Sequence, residues 1–465
     1  MTAASQPAAY RPERTILTLP DTLYDPVVAA DFPDTILRFR NDAHAATVGL
    51  ETLDDAGWIR HFGRFAPLPG SLEQPLALRY HGHQFRHYNP DLGDGRGFLF
   101  AQLRDGRDRL LDLGTKGSGT TPWSRSGDGR LTLKGGVREI LATEMLEALG
   151  VHTSKTFSLI ETGEALHRGD EPSPTRSAVL VRLSHGHIRI GSFQRLATLG
   201  DTDSLRALVD YCLTELYGEA PGSDPAAQLL GLVAHATARL AASYMAAGFV
   251  HGVLNTDNIN VTGESFDYGP WRFAPRWEAG FTAAYFDQNG LYAFGRQPAA
   301  IHWNLVQLAL ALRSLSPAET LAPMVDRYAP AYETAFRAAI LARLGVVSRD
   351  EEEDFALLGA METALTETDT PIDRFFFDWR GGRLRAGTDA YADPRFDAFR
   401  EIAAGFTPAT TPDHPYWSDP APCGMDIAEV EALWAPIAER DDWAPLQAKI
   451  LTIRRMGQAM RDNRP

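Results

Sequence analysis

Two carboxylates and an amide fall within about ten residues of one another in VHGVLNTDNINVTGESFDYG, residues 250–269: Asp257, Asn258 and Asp267. Carboxylate and amide oxygens suit a hard divalent cation such as Mg²⁺, with phosphates completing its shell. Taken singly, Thr256-Asp257-Asn258 and Asp267-Tyr268-Gly269 each read as a turn; folded as a loop and a hairpin, they converge. Lys116 closes the run RLLDLGTK, and Glu139 follows on the next helix. A strand Lys paired with a helix Glu holds nucleotide phosphates in kinase-like sites, although alone each is a solvated charge. Arg182 and Arg189 stand seven residues apart in VLVRLSHGHIRIGSF. Their guanidinium groups can pair with phosphate oxygens across a strand turn, or they are two surface arginines on a β-ribbon. In GDGRG, Gly93 and Gly95 let backbone N–H groups approach a phosphate and Arg96 adds charge, while alone the segment is a turn between strands. It is not a Rossmann fingerprint, and the chain has no Gly-Lys-Ser/Thr of a P-loop. His81, His83 and His87 bring imidazoles together in HGHQFRH without a clear fourth ligand, so a structural loop is the expectation.

These groups need elements to carry them. FLFAQL (98–103) and RLLDLGTK (109–116) read as strands separated by DGRD. Val137, Ile140, Leu141, Met145 and Leu149 recur at helical spacing and predict a helix over 135–149, closed by Gly150. KTFSLIE (155–161) and SAVLVRL (177–183) predict two further strands. Beyond Asp201 the pattern is helical: 205–217, then 229–247 ending at Gly248, a helix marked by Ile301, Leu305, Leu308 and Leu312, then 320–345 and 354–366. Residues 1–75 read as a Pro-rich arm with one or two short helices, and 407–424 as a Pro-rich connection. A β-rich part followed by a helical part leaves a cleft between them, where ligands commonly bind.

Composition narrows the classes. The 465 residues hold 45 Lys plus Arg against 60 Asp plus Glu, a formal net charge of −15. Such a chain repels phosphate backbones, which argues against nucleic acid as main partner but not against a small anion in a locally basic pocket. Two cysteines, Cys212 and Cys423, with no CxxC exclude a disulfide scaffold and a Cys-rich zinc site and point to a reducing compartment. The opening MTAASQPAAYRPERTIL lacks the apolar core of a secretory signal. No run of ~18 uncharged apolar residues spans a membrane. The expectation is a soluble cytoplasmic protein with no membrane partner; oligomeric state has no signature in the sequence.

In order along the chain, GHQF, LGDGRG, LGTKGSGTTPWSRSGDGR, REILATE, HIRIGSF and GVLNTDNINVTGESFDYGPW resemble the SelO (YdiU) family, protein adenylyltransferases with a protein-kinase-like (pseudokinase) fold. The matched stretch runs from about Tyr80 to Leu312, roughly half the chain. The resemblance implies an α+β, bilobal kinase-like fold: an N-terminal arm over 1–75, a β-rich nucleotide-binding lobe over 76–200, and a larger helical lobe over 201–465 with a divergent tail. It also implies ATP bound in the orientation opposite to that of protein kinases, with Mg²⁺ or Mn²⁺. AMP then passes to a Ser, Thr or Tyr hydroxyl of a protein substrate and pyrophosphate is released. Carried onto this chain, Gly93, Gly95, Arg96, Lys116, Asp128, Gly129, Arg182 and Arg189 line the nucleotide site and Glu139 pairs with Lys116. Asp257 is the proton acceptor, and Asn258 and Asp267 hold the metal. Against the kinase pattern HRDLxxxN followed by DFG, His251, Asn258 and Asp267-Tyr268-Gly269 find counterparts. Val253, however, stands where the catalytic Asp belongs. Valine cannot accept a proton, and Asp257 is the nearest replacement. Two alternatives stay open, a γ-phosphoryl kinase of protein or small molecule and a non-catalytic ATP-binding scaffold. The chain departs from the family at Arg86, where a Gly usually follows GHQF. It has no cysteine near the C-terminus or just after Asp267, so redox regulation is not expected, and it lacks the family's Asn-Pro and Arg-Asn stretches beyond about residue 320.

Overall fold

The apolar runs of the first half close into one antiparallel sheet of nine strands in the computed structural model, which describes residues 8–169, 171–385, 389–409 and 412–461. Its central path runs Tyr24–Pro26, Leu76–Leu78, Leu99–Arg104, Leu110–Lys116, Thr175–Ser184, Lys155–Leu166, Ile36–Arg40. Pro12–Glu13 pairs with Leu99–Arg104, and Leu131–Thr132 with Thr175–Ser184. Every residue of Leu110–Lys116 is buried, because both faces of the sheet are covered, and its polar residues are accordingly paired: Asp112 with His187, Thr115 with Ser118 and Lys116 with Glu139. Along Thr175–Ser184 the two faces alternate. Ala178 and Leu180 join the core under helix Leu133–Ala148, whereas Val179 and Val181 join Trp58, Phe62 and Phe157 on the other side.

Residues 8–75, expected as an arm, supply three of the nine strands and the Trp58–Phe62 cover. These strands are two to five residues long, too short to show a period of two, which is why only the pairing reveals them.

The second half is helical. Pro225–Ala247 is its central helix: Asp224 caps it by accepting from the Ala227 N–H, and Gly248 at φ 68° ends it in the left-handed region. It packs on Gln297–Ala311 and Tyr328–Leu344. The stretch 320–345, expected as one helix, is two, Ala318–Asp326 and Tyr328–Leu344. Pro330 has no N–H to donate to the carbonyl four residues back, which disfavours continuity at this point. Helix Ile190–Leu199 was not anticipated. The last two helices, Ile427–Arg440 and Ala444–Arg461, return to the first half and pack on Leu133–Ala148. Lys134 Nζ meets Glu431 Oε2 at 2.7 Å, Arg454 pairs with Glu144, and a Cβ on Gly457 would lie 3.0 Å from Ala148 Cα. The tail therefore braces the helix that carries Glu139. No helix of the described residues is long and apolar enough to cross a membrane.

Candidate active site

A cavity of about 640 Å³ opens where the sheet meets the helical half. Its walls include Gly93, Gly95, Arg96, Lys116, Asp128, Gly129, Arg182, Arg189, Asp257 and Asp267. Glu139 and Asn258 are not among the lining residues; Glu139 pairs with Lys116, which is, and Asn258 follows Asp257 in the chain.

Lys116 ends strand Leu110–Lys116 and is buried. Its ammonium sits 2.5 Å from Glu139 Oε1 and 2.7 Å from Asp267 Oδ1. A buried charge is tolerated only when paired, and here one cation joins a helix carboxylate to a loop carboxylate. Asp267 holds φ at 62°, a left-handed conformation that costs a non-glycine residue roughly 1–2 kcal/mol and survives where the surroundings over-determine it. Three contacts do so. Lys116 grips the carboxylate, His251 Nε2 bonds the Phe266 carbonyl at 2.9 Å, and the Tyr268 hydroxyl donates to Ser265 Oγ at 2.7 Å. Burial raises the Asp267 pKa, but Lys116, Arg182 and Arg96 outweigh it and hold the carboxyl well below its usual range.

Arg182 projects from strand Thr175–Ser184 with Nη1 3.8 Å from Asp267 Oδ1, and its Nε donates to His187 Nε2 at 3.1 Å. Burial lowers the His187 pKa, so the ring is neutral and can accept that bond, with Asp112 at 3.3 Å on its other nitrogen. Arg189 is not on a β-ribbon. It occupies the N-cap position of Ile190–Leu199, because the chain leaves the sheet after Ser184. Its Nη1 donates to the Asp257 carbonyl at 3.0 Å, its Nη2 lies 3.3 Å from Asp94 Oδ1, and its guanidinium rests 4.2 Å above the Tyr80 ring. Arg182 Nη1 and Arg189 Nε are buried donors without a hydrogen-bond partner. Each such group costs about 1–3 kcal/mol if left so, and both arginines line the cavity.

The glycines of GDGRG are needed for packing as well as for approach to a ligand. A Cβ on Gly93 would lie 2.4 Å from Trp123 Cγ, and one on Gly95 2.9 Å from the Trp123 carbonyl oxygen. Trp123 is held by its indole N–H, which donates to Asp25 Oδ2 at 2.8 Å, and Arg79 Nε donates to the same oxygen at 2.8 Å. Sequence reasoning missed this trio. Trp123 lies inside a quoted motif, but Asp25 is about a hundred residues away, on a strand too short to be recognised. Trp123→Ala is expected to loosen the loop and weaken binding of inorganic triphosphate about tenfold, measured by titration calorimetry; an unchanged affinity would exclude this role. Further round the rim, Asp128 Oδ2 meets Arg168 Nη1 at 2.8 Å, and Gly129 at φ 69° crosses so close to Gly119 that a Cβ would sit 2.2 Å from its backbone.

Thr256–Asn258 forms a 3₁₀ turn. Asp257 is buried there with Oδ1 unpartnered, and a Cβ on Gly82 would come within 3.0 Å of that oxygen. Burial lifts its pKa to about 6, opposed mainly by Arg189. A carboxylate that lines a cavity with a pKa near working pH suits proton transfer. Asn258 donates through Nδ2 to the Val253 carbonyl at 3.0 Å, which braces the loop and leaves its amide oxygen as the candidate ligand atom.

Among the described residues no group of three or more His, Cys, Asp or Glu is placed to hold a metal by itself. Among the carboxylates lining the cavity are those of Asp267 and Asp257, with Asn258 next in the chain, and the unpartnered Asp257 Oδ1 is a buried acceptor. This donor set fits a hard cation that takes one or two carboxylates and completes its shell with substrate phosphates. The imidazoles of HGHQFRH lie on the hairpin Gly82–Gln84/His87–Asn89, where His81 bonds the Tyr88 hydroxyl at 2.6 Å and His83 the Gln194 amide at 2.8 Å. Arg86, the departure after GHQF, holds φ at 65° at the tip of that hairpin, with its guanidinium 5.5 Å from the Trp303 ring centroid.

Behind the loop, Glu264 is buried three residues before Asp267 and accepts from the His185 N–H at 2.7 Å. Burial pushes its pKa up to about 7. The folded state therefore keeps a proton that the unfolded chain releases, and stability falls as pH rises from about 4.5 through 7. Glu264→Gln keeps an acceptor oxygen without the charge. It is expected to stabilise the fold by up to ~3 kcal/mol at pH 8 and to leave stability unchanged at pH 4, read as the shift in Tm on thermal unfolding at the two pH values.

Sheet and helices, with a cavity between them lined by seven basic and five acidic side chains, make this a mixed α/β protein with a strongly charged pocket. The sequence profile of the family described as "Protein adenylyltransferase SelO" matches residues 8–388. The chain belongs to that family. It is similar to the Protein nucleotidyltransferase YdiU of Synechocystis, 41% identical with 93% of this chain and 95% of the relative covered. It is also similar to that of Gloeobacter violaceus, 43% identical with 95% of each covered.

Proposed function

We propose that this chain transfers AMP from ATP to a Ser, Thr or Tyr hydroxyl of a protein substrate and releases pyrophosphate. On this reading the sheet and the helical part are the two lobes of a kinase-like fold, the first ending near residue 200 and the second continuing beyond it, with the triphosphate between them. What carries the reading is one convergence: the Lys116 ammonium on Asp267, Arg182 beside it, and an unpartnered Asp257 oxygen on the same cavity.

The acceptor oxygen attacks the α-phosphorus, the bond from that phosphorus to the oxygen bridging the β-phosphate breaks, and the hydroxyl proton passes to Asp257. Arg182 and Arg189 offer their unpartnered N–H groups to phosphate oxygens, and Lys116 stands at the same wall, positioned by Glu139. Asp267 and Asn258 would hold Mg²⁺ or Mn²⁺ with the phosphates, and the bound ion supplies charge neutralisation. Positioning and electrostatics carry most of such a reaction. Val253 at the kinase base position favours AMP transfer over a γ-phosphoryl kinase, and the paired yet accessible Asp267 favours an enzyme over a scaffold.

The test uses ATP labelled at the α or the γ phosphorus, with Mg²⁺ and bulk protein as acceptor. Covalent α label supports the reading. Covalent γ label makes the protein a kinase, and neither label leaves it a scaffold.

A further inference from the structure

The segment after Asp267 carries the most exposed aromatic pair of the described residues, Tyr285 at 87% and Phe286 at 46% exposure. Their rings meet edge to face with centroids 5.2 Å apart. Scattered exposed hydrophobics need no explanation, but adjacent aromatic rings presented on a fixed loop mark a contact surface. This loop is fixed. The Asp287 carboxylate accepts from the Leu291 and Tyr292 N–H groups, both at 2.8 Å, and Arg296 Nη1 donates to the Asn289 carbonyl at 2.9 Å. Beside the rings a groove of about 540 Å³ runs along 279–296, with Tyr285 on its wall.

The ledge is continuous with the floor of the cavity. Phe286 packs on Phe85 at 5.9 Å, and Phe85 on Tyr292 at 5.1 Å. The Tyr292 hydroxyl and the Phe85 N–H both donate to Asn255 Oδ1, at 2.7 and 3.0 Å, two residues before Asp257. On the other side Ala283 touches the same loop, where a Cβ on Gly252 would lie 3.0 Å from its methyl. The rings therefore stand on the surface that adjoins the loop carrying Asp257.

We propose that Tyr285 and Phe286 dock the acceptor polypeptide: an extended substrate segment with an aromatic or large aliphatic side chain a few residues from the modified hydroxyl. This rests on the AMP-transfer reading. The rings supply apolar area at small entropic cost because the loop is already ordered, and the groove takes the neighbouring side chain.

The test incubates the full chain with Mg²⁺, α-labelled ATP and two synthetic peptide panels. One has Phe or Leu within three residues of a single Ser, Thr or Tyr, and the other has Gly at those positions. Wild type is expected to label the apolar panel about tenfold better in kcat/KM. Tyr285→Ser with Phe286→Ser is expected to abolish that preference through the acceptor KM, with the KM for ATP unchanged. Tyr285→Ser alone, at the more exposed position, should lose part of the preference, and an unaltered Tm checks that both variants fold. Equal labelling of the panels by wild type, or a preference intact in the double variant, overturns the ledge. A wild-type dimer dissolved by the double variant also overturns it, because a second copy would then be the occupant. Absence of α label on bulk protein would instead sink the AMP-transfer reading itself.

Discussion

Asp267→Asn is expected to lower AMP transfer by roughly 10²–10³-fold, the loss typical of one preorganised electrostatic contact, while ATP binding without metal stays within a few-fold. Asparagine is chosen because it tolerates the left-handed backbone that Asp267 adopts at φ 62°. The change then removes charge without forcing the loop to refold. Lys116 keeps Glu139 as its partner at 2.5 Å, and Arg182, relieved of the carboxylate at 3.8 Å, is freer to meet phosphate. The rate should fall while affinity for the nucleotide holds, which initial rates and a nucleotide titration in EDTA would separate. Stability moves as well. The wild-type carboxyl titrates well below its usual range, so the stabilisation it gives is present above the unfolded pKa near 4 and is lost as pH falls through the folded value. The variant should unfold more easily at pH 7, and the difference should narrow in acid. A full rate in the variant would rule Asp267 out as a ligand.

Asp257→Asn should cost 10²–10⁴-fold in rate, the usual span for a general base. In the wild type, with a pKa of about 6, the rate should fall about tenfold per pH unit below that value, because only the ionised form accepts the proton. The variant should lose this acid limb. Its stability should change the opposite way from that of Asp267→Asn. Ionised Asp257 is penalised by burial, so the wild type loses stability as pH rises through about 4 to 6, and Asn escapes that loss by up to ~3 kcal/mol at pH 8. A variant that is slower and yet melts higher is what a strained functional carboxylate produces. One that is slower and melts lower would make Asp257 a structural residue.

The two carboxylates, the lysine and its helix partner were legible for a local reason. Lys116 ends a seven-residue buried strand and Glu139 sits seven residues into the next helix, so strand and helix periodicities together point them toward one another. Asp257, Asn258 and Asp267 share one loop, between the paired strands Phe249–Val250 and Arg272–Phe273. Arg189 was singled out by its type as a candidate partner for phosphate, but its setting was misread, because the helix it caps is only ten residues long and follows a stretch that reads as strand. The strands within 8–75 and the docking of the tail on Leu133–Ala148 left no local mark, since pairing between distant segments has no period in the chain.

By itself, then, the order of residues determined which chemical groups exist, the elements that carry Lys116, Glu139 and Arg182, and which family they belong to, because those depend on near neighbours along the chain. Only the tertiary structure decided that Asp257 is buried against Gly82 with a raised pKa while Asp267 is held low by three cations. It alone brought Asp25 and Arg79 under Trp123 and set Tyr285 and Phe286 beside the same loop. Desolvation and Coulomb terms depend on distance through space, and the residues that supply them are far apart along the backbone.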